Sequence, residues 1–435
     1  MLTGQAGKCT VKLMPDKLRF TFLAADPFPP LRPDVINLFG KELAGRGHHI
    51  AWILTSKDPA LPHYHPSWPY GPVAVGGRCA GSGTLTNLWN RWLDFRNDLC
   101  LASELRSQNF DFVQLKDKLL AAIPTLLQAR WNKLPFIYWL SFPYPEEALH
   151  LANERCGFAR FTQLIRYRLF RFVLYSCVLP RATHVFVQSS RMKDSLVKEG
   201  IDPDRITPVP MGVSLADVPA IPKNSERSTV GRQKPYRLVY LGTLSRLRNL
   251  GFLLRVLKLV HRHVPETTLL FVGGGNCQED ERALEREAEV LELTRHITIT
   301  GQLPRADAWR HVQESDICLS YIPRTPVLDV GSPTKLIEYM ALNKVIVAND
   351  HPEQREILSQ SQAGSCVETT ESAFADRIVW LLAHPDEAQA MAARGHSYVK
   401  QYRDYTVIAD RLEHEYIRIL TRQTFAKSRQ RYCSG

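Results

Sequence analysis

Short apolar runs, each followed by a polar turn and an amphipathic stretch, recur along the chain and leave few folds open to it. Leu18 to Ala25 is such a run and ends in Asp26-Pro27-Phe28-Pro29-Pro30; an amphipathic stretch follows from Asp34 to Ala44, closed by Gly45 and Gly47, and Ile50 to Leu54 is apolar again. A run that is apolar at every position is buried on both faces, the condition of a strand inside a parallel sheet covered by helices. The succession strand, loop, helix, strand therefore predicts an α/β chain. Further buried strands are predicted at Phe112 to Leu115, Phe136 to Leu140 and His184 to Gln188. The stretch from Pro59 to Asn90, rich in Pro, Gly and aromatic residues, follows neither period and is expected to run over the surface.

Between Ala216 and Pro235 the chain loses apolar content and gains Pro, Ser and charge, which predicts an interdomain linker over 216–235. A second α/β series then begins. Strands are predicted at Arg237 to Leu241, Thr268 to Val272, Ile297 to Thr300 and Val345 to Ala348, with helices at Leu250 to His263 and Glu279 to Leu293. The pattern thus predicts two Rossmann-like domains, 1–215 and 236–400, facing across a cleft. A last helix, Val407 to Leu420, lies in a C-terminal segment, 401–435, that is expected to pack back on the first domain.

Composition narrows the function. The chain has 435 residues, 44% hydrophobic and 23% charged, which excludes disorder for most of it. Its net charge, 55 − 44 = +11, suits a nucleotide, a phospholipid surface or nucleic acid. Nine scattered cysteines form no C-x-x-C pair, so neither a disulfide framework nor a zinc site is expected, and a reducing cytoplasm fits better. No apolar run approaches the roughly 18 residues of a spanning helix, and Phe20 to Ala25 is too short and too late for a signal segment.

The most informative segment is GSPTKLIEYMALNKVIVAND, Gly331 to Asp350. Ser332 reads as an N-cap, Pro333 as the first helical residue, and Asn343 as the left-handed residue after a helix ending at Leu342. Free N–H groups at such a helix start, with Thr334 and Lys335 in the first turn, suit a phosphate. Glu338 stands one turn beyond Thr334 on nearly the same face, where a carboxylate can accept from the paired hydroxyls of a ribose. A second segment, VYLGTLSRLRNLGFLLRVL, ends a strand at Gly242 and carries Arg246 and Arg248 in the loop before a helix, a placement suited to a diphosphate. In the third, FVGGGNCQED, Gly273, Gly274 and Gly275 let a nucleotide approach the backbone closely. It is not G-x-G-x-x-G, because Gln278 stands at the last position.

Taken together, these segments resemble the C-terminal domain of glycosyltransferase family 4, whose GT-B fold sets two Rossmann-like domains face to face. The resemblance covers about Tyr236 to Asn349 and extends to RATHVFVQSSRMKDSLVKEGIDPDRITPVPMGVSL, which looks like the segment closing that family's N-terminal domain. It implies that Glu338 binds ribose, that Arg248 and Lys335 bind and stabilise the leaving diphosphate, and that no metal is required. It implies a retaining transfer from a nucleotide diphosphate sugar to an acceptor hydroxyl, with a lipid-linked saccharide in envelope or exopolysaccharide assembly as the first expectation. Two positions depart from the family. Its E-x₇-E pair would need Glu at 330, where Val330 follows Asp329, and its N-terminal-domain His is replaced in YWLSFPYPEE by Ser141. His184, within a strand, is expected to be a core residue. A GT-B epimerase or hydrolase of the nucleotide sugar, and a catalytically silent nucleotide-sugar-binding protein, remain as alternatives.

Two further features bear on metals and membranes. Asp202-Pro203-Asp204 is a D-x-D sequence, but on a loop before a strand it reads as a turn, and no metal site is expected. Gly157 to Tyr175, GFARFTQLIRYRLFRFVLY, is dense in arginine and aromatics, and between Glu154 and Arg181 lie six Arg and one acid. As a helix it places Phe158, Phe161, Ile165, Leu169 and Phe172 on one stripe, with Arg160, Arg168 and Arg171 opposite. Two readings fit: an interfacial helix on the anionic inner face of a membrane, or an internal helix with snorkelling arginines. Nucleic acid is not expected as a partner, because the arginines flank apolar residues instead of forming a polar stripe.

Overall fold

The structure, a computed structural model, describes residues 17–99 apart from 62, 66 and 82, then 109–220 and 235–433. Most of the predicted linker, 221–234, lies outside the described residues. Eight strands make the first sheet: β1 (Arg19–Pro27), β2 (His49–Thr55), β3 (Tyr64–His65), β4 (Val73–Val75), β5 (Phe112–Lys116), β6 (Phe136–Leu140), β7 (His184–Val187) and β8 (Ile206–Pro208). Six make the second: β9 (Arg237–Leu241), β10 (Thr268–Val272), β11 (Ile297–Ile299), β12 (Ile317–Ser320), β13 (Val345–Asn349) and β14 (Gly364–Val367).

The spatial orders are β3-β4-β2-β1-β5-β6-β7-β8 and β11-β10-β9-β12-β13-β14. Every neighbouring pair is parallel except β3 with β4. In both sheets the chain moves outward to one edge and then returns to the far side of its first strand. The order thus reverses beside β1 and beside β9, and ligands of open α/β sheets bind outside the carboxyl ends of the strands at such a reversal.

In the first half, helices α1 (Asp34–Ala44, wound as a π-helix), α2 (Thr84–Leu99), α3 (Leu119–Trp131), α4 (Tyr144–Asn153), α5 (Gly157–Arg171) and α6 (Ser190–Lys198) surround the sheet. The second half carries α7 (Gly251–Val260), α8 (Gln278–Val290), α9 (Arg305–Gln313), α10 (Thr334–Ala341), α11 (Pro352–Ser361), α12 (Glu371–Ala383) and α13 (Pro385–Tyr398). The last helix, α14 (Tyr405–Cys433), returns to the first sheet as its sequence implied. There Tyr416 packs its ring against Phe20 and Phe112 and donates to the buried Gln114 Oε1 at 2.5 Å.

The strands read from sequence are present and most are buried through their middle, whereas β11, at the sheet edge, stays partly exposed. His184 is a core residue, 2.9 Å from the Thr207 hydroxyl and facing Glu415 of α14 at 3.4 Å. Asp202 accepts the N–H of Asp204 and caps a short turn, Pro203–Arg205. The expectation of a surface excursion over Pro59 to Asn90 needs correction: β3 and β4 extend the sheet and bury Val73 and Val75. Strands of two and three residues are too short for a period to show.

Candidate functional site

A cavity of about 320 Å³ opens between the two sheets, at the carboxyl ends of β9 and β12. Gly242, Arg248, Ser332, Thr334, Lys335 and Glu338 line it from the second half, and Ser141, Phe142, Pro143 and Gln188 from the first. Six of the residues singled out in the sequence thus meet at one place.

Lys335 lies in the first turn of α10, which opens at Thr334, and the residues of this helix start line the cavity. Its Nζ is buried, lacks a hydrogen-bond partner among the described residues, and rests 3.7 Å from the centre of the Tyr240 ring. The ring face supplies attraction without a counter-charge. Burial, reinforced by the nearby Arg248 guanidinium, holds the ammonium well below the usual lysine range. Gly242 lies beside it with φ at 142°, a backbone conformation that favours glycine; a Cβ added there would be in ordinary contact with Lys335 Nζ at 3.5 Å. Glu338, one turn along, is 9% exposed and lies 3.6 Å from Arg305 of α9. Burial raises its carboxyl above the usual range, and Arg305 opposes that shift.

Arg248 and Arg246 part company. They stand two residues apart on a 3₁₀ turn, Arg246–Arg248, and with three residues per turn such neighbours cannot share a face. Arg248 faces the cavity, whereas Arg246 is 69% exposed and lies 3.8 and 3.7 Å from Glu279 and Asp280. Asn249, in the left-handed region at φ 45°, then turns the chain into α7.

Two expectations are corrected. Gly274 and Gly275 do not line the cavity. The N–H of Gly275 is taken by Glu281 at 2.9 Å and that of Asn276 by Asp280 at 3.0 Å, so carboxylates of α8 occupy donors that a phosphate would need. Gly273 is required for another reason, since an added Cβ would lie 2.1 Å from the carbonyl oxygen of Gly242. Ser332 does not cap α10; Pro333 holds the cap position without a side-chain bond. The Ser332 hydroxyl instead accepts the Met211 N–H at 3.1 Å and donates to Glu353 at 2.8 Å, partners that outbid a helix end.

Position 330 presents no carboxylate to the cavity. Val330 is buried against the core of the first half and its carbonyl accepts from Ser189 at 2.6 Å, while Asp329 pairs with Arg324 at 2.8 Å. On the opposite wall, the Ser141 hydroxyl joins Lys116 and Asp117, and its N–H donates to Asp117 Oδ1 at 2.8 Å. Gln188, Tyr240 and Arg305 were not anticipated. Their signal was positional: Gln188 follows the end of β7 and Tyr240 sits one residue before the end of β9, where side chains reach a crevice.

Comparison with known proteins agrees with this arrangement. The sequence model described as Glycosyltransferase Family 4 matches residues 35–217, and that described as Glycosyl transferases group 1 matches residues 235–384. A GDP-mannose-dependent alpha-(1-6)-phosphatidylinositol monomannoside mannosyltransferase from Mycolicibacterium smegmatis is 29% identical over 199 residues. That match spans 45% of this chain and 49% of the relative, about half the length of each. Among solved structures, sucrose-phosphate synthase from Thermosynechococcus elongatus superposes with a TM-score of 0.71 at 16% identity, covering 94% of this chain and 100% of that one. HepE from Anabaena, in complex with UDP-glucose, does so with a TM-score of 0.66 at 14% identity, covering 92% and 99%. With a family model on each half and the two-sheet architecture shared over nearly the whole length, the chain belongs to glycosyltransferase family 4 and has the GT-B fold.

Proposed function

We propose that the protein is a retaining glycosyltransferase that moves a sugar from a nucleotide diphosphate sugar to the hydroxyl of a lipid-linked saccharide. One observation carries this reading: a buried lysine, Lys335, whose Nζ has no hydrogen-bond partner among the described residues, beside Arg248 and the N-terminus of α10. Such a place is costly when empty and is completed by an anion. A diphosphate supplies charge for both cations, and Glu338 stands one helical turn away for the ribose hydroxyls. In the transfer, the bond from the anomeric carbon to the diphosphate oxygen breaks and the acceptor oxygen bonds to the same face of that carbon. The acceptor's proton goes to the departing phosphate. Charge grows on that phosphate as the bond breaks, so Lys335 and Arg248 stabilise the transition state more than the ground state. The named relatives support the donor class: HepE was solved with UDP-glucose and the mycobacterial protein uses GDP-mannose.

The lipid-linked acceptor rests on the surface of the first half. In α5 Phe158, Phe161, Ile165 and Leu169 are exposed, as is Phe172 just beyond it, and none of the helix is buried. Leu88, Trp89 and Trp92 of α2 and Leu120, Leu127 and Trp131 of α3 are exposed as well, and α2 packs against α3. Exposed apolar stripes of this kind mark an interaction surface. Helix α4 starts beside the cavity wall at Pro143 and packs along α5, linking the cleft to that face. Among the described residues no helix is long and apolar enough to cross a membrane, so attachment here means lying on the interface.

The test is a thermal-shift screen against UDP, GDP, ADP, CDP and TDP, followed by incubation of the matching nucleotide sugars with lipid-linked acceptors. A stabilising nucleotide and an α-linked product from an α-linked donor are expected. Val330 favours a second reading, a silent binding protein, and nucleotide binding without turnover on any acceptor would select it.

A further inference from the structure

Away from the reacting end of the cavity, four chain segments meet at one carboxylate. Glu353, in the first turn of α11, is 4% exposed. Its Oε1 accepts from Ser332 Oγ at 2.8 Å and from Arg403 Nη1 at 3.1 Å. Arg403, 9% exposed, also reaches the carbonyl of Met211 at 3.4 Å, and the Met211 N–H donates to Ser332 Oγ at 3.1 Å. The bonds close a ring: Met211 to Ser332, Ser332 to Glu353, Arg403 to Glu353, and Arg403 back to Met211.

The members of this ring have unlike positions. Met211 lies where the chain leaves the first sheet after β8, and Arg403 where it returns to that sheet before α14. These two crossings lie against one another: Val213 N–H donates to the Arg403 carbonyl and Tyr405 N–H to the Val213 carbonyl, both at 3.0 Å. Gly212 permits the approach, since an added Cβ would stand 2.4 Å from the Arg403 carbonyl oxygen. Ser332, by contrast, lines the candidate donor cavity, in the loop that leads into α10 and Lys335. A second cavity of about 160 Å³, lined by Ser189, Arg191, Asp194, Glu353 and Glu356, adjoins the ring. The other carboxylate oxygen, Oε2, is buried without a partner among the described residues.

We infer that Glu353 is a positioning residue that couples occupancy of the donor cavity to the geometry of the two crossings, by holding the Gly331–Thr334 loop against Met211 and Arg403. The inference rests on the reading of that cavity as the donor site. Burial raises the Glu353 carboxyl to about 7, opposed by Arg403 and Ser332 and reinforced by Glu356, with Arg191 and Asp194 facing the adjoining cavity. Its charge is therefore lost as pH falls through neutrality.

The experiment uses the full chain with Glu353→Gln, Glu353→Ala, Arg403→Met and the Glu353→Ala/Arg403→Met pair. Without ligand, amide hydrogen exchange in Glu353→Ala is expected to rise together at 331–336, 211–213 and 404–406. A rise on one side alone would overturn the coupling. With UDP and GDP as probes, Arg403→Met and Glu353→Ala should each weaken binding about 3- to 10-fold, although neither residue lines the cavity, and the double variant should lose no more than either single. Wild-type affinity should also fall more steeply than that of Glu353→Gln as pH drops through about 7; the nucleotide's own ionisation is common to both. Unchanged affinity with a lowered melting temperature would make Glu353 a packing residue only and overturn the inference. If the wild type binds neither UDP nor GDP, the same comparison is made with ADP, CDP and TDP; the donor reading fails only if none of the five binds, and the exchange measurement still decides whether the loop and crossings move as one.

Discussion

At the scale of single residues, the electrostatics of the cleft are arranged around what a small dianion would supply. Lys335 has a ring beneath it and a guanidinium nearby, but among the described residues no carboxylate within hydrogen-bonding distance. Glu338→Ala is expected to weaken nucleoside diphosphate binding by about 1.5 to 3 kcal/mol, the range of a charged hydrogen bond, with little change in melting temperature. Calorimetric titration checks this, and unchanged affinity would remove Glu338 from the site. Arg248→Ala should lower kcat by roughly 10²-fold with a smaller effect on KM, because the charge it meets develops as the bond breaks. Steady-state kinetics showing equal losses in binding and turnover would assign it to ground-state binding instead. Lys335 and Glu338 were legible in the sequence because helical spacing alone puts them at one end of one face. The role of Ser332 was not, because its partners, Met211 and Glu353, are 121 and 21 residues away and only the fold brings them near. Arg246 looked equivalent to Arg248 until the turn type separated them.

At the scale of elements, α5 shows how far a periodic pattern reaches. The stripe from Phe158 to Phe172 was readable, but whether it faced a core or an interface was not, since both present the same spacing. The structure leaves the stripe in the open. Its arginines are not equivalent: Arg171 pairs with Glu199 at 2.6 Å and Arg166 with Glu147 at 3.2 Å, whereas Arg160 and Arg168 have no ion pair among the described residues. Arg160→Gln with Arg168→Gln should therefore reduce sedimentation with anionic vesicles by about 1 kcal/mol per charge, and adding Arg171→Gln should contribute less. Raised salt should act in the same direction. Failure of the wild type to bind such vesicles at low salt would make the acceptor a soluble one. Strand β4 marks the opposite limit. Its three residues, Val73–Val75, carry no readable period, and pairing with β2 and β3 identifies them as sheet.

At the scale of the whole molecule, the two halves are joined by crossings at Met211 and Arg403 and by α14 lying along the first sheet. That packing has a pH signature. Burial outweighs the attraction of Glu415 and holds His184 well below its ordinary value of 6.5, near 4. The folded state thus binds fewer protons than the unfolded chain between those values, so the contribution to stability is complete above about 6.5 and is lost as pH falls toward 4. Raised carboxyls such as Glu353 act in the opposite sense, so the His184 contribution is read as a difference: between pH 6.5 and 4 the urea midpoint of the wild type should fall relative to that of His184→Gln, and equal slopes would place the acid sensitivity elsewhere. The two-sheet architecture was readable from the apolar runs because burial on both faces removes all ambiguity of face. The contacts between halves were not, because they depend on single side chains from distant segments.

The central claim is that the cavity at the ends of β9 and β12 is a nucleoside diphosphate site built on Lys335. Calorimetric titration of UDP, GDP, ADP, CDP and TDP into the full chain, in buffers of different ionisation enthalpy, tests it directly. One nucleotide should bind at a single site with uptake of protons, because the anion raises a lysine that burial had lowered, and Lys335→Met should lose both the uptake and most of the affinity. Binding of none of the five, or binding that Lys335→Met leaves unchanged, would contradict the account.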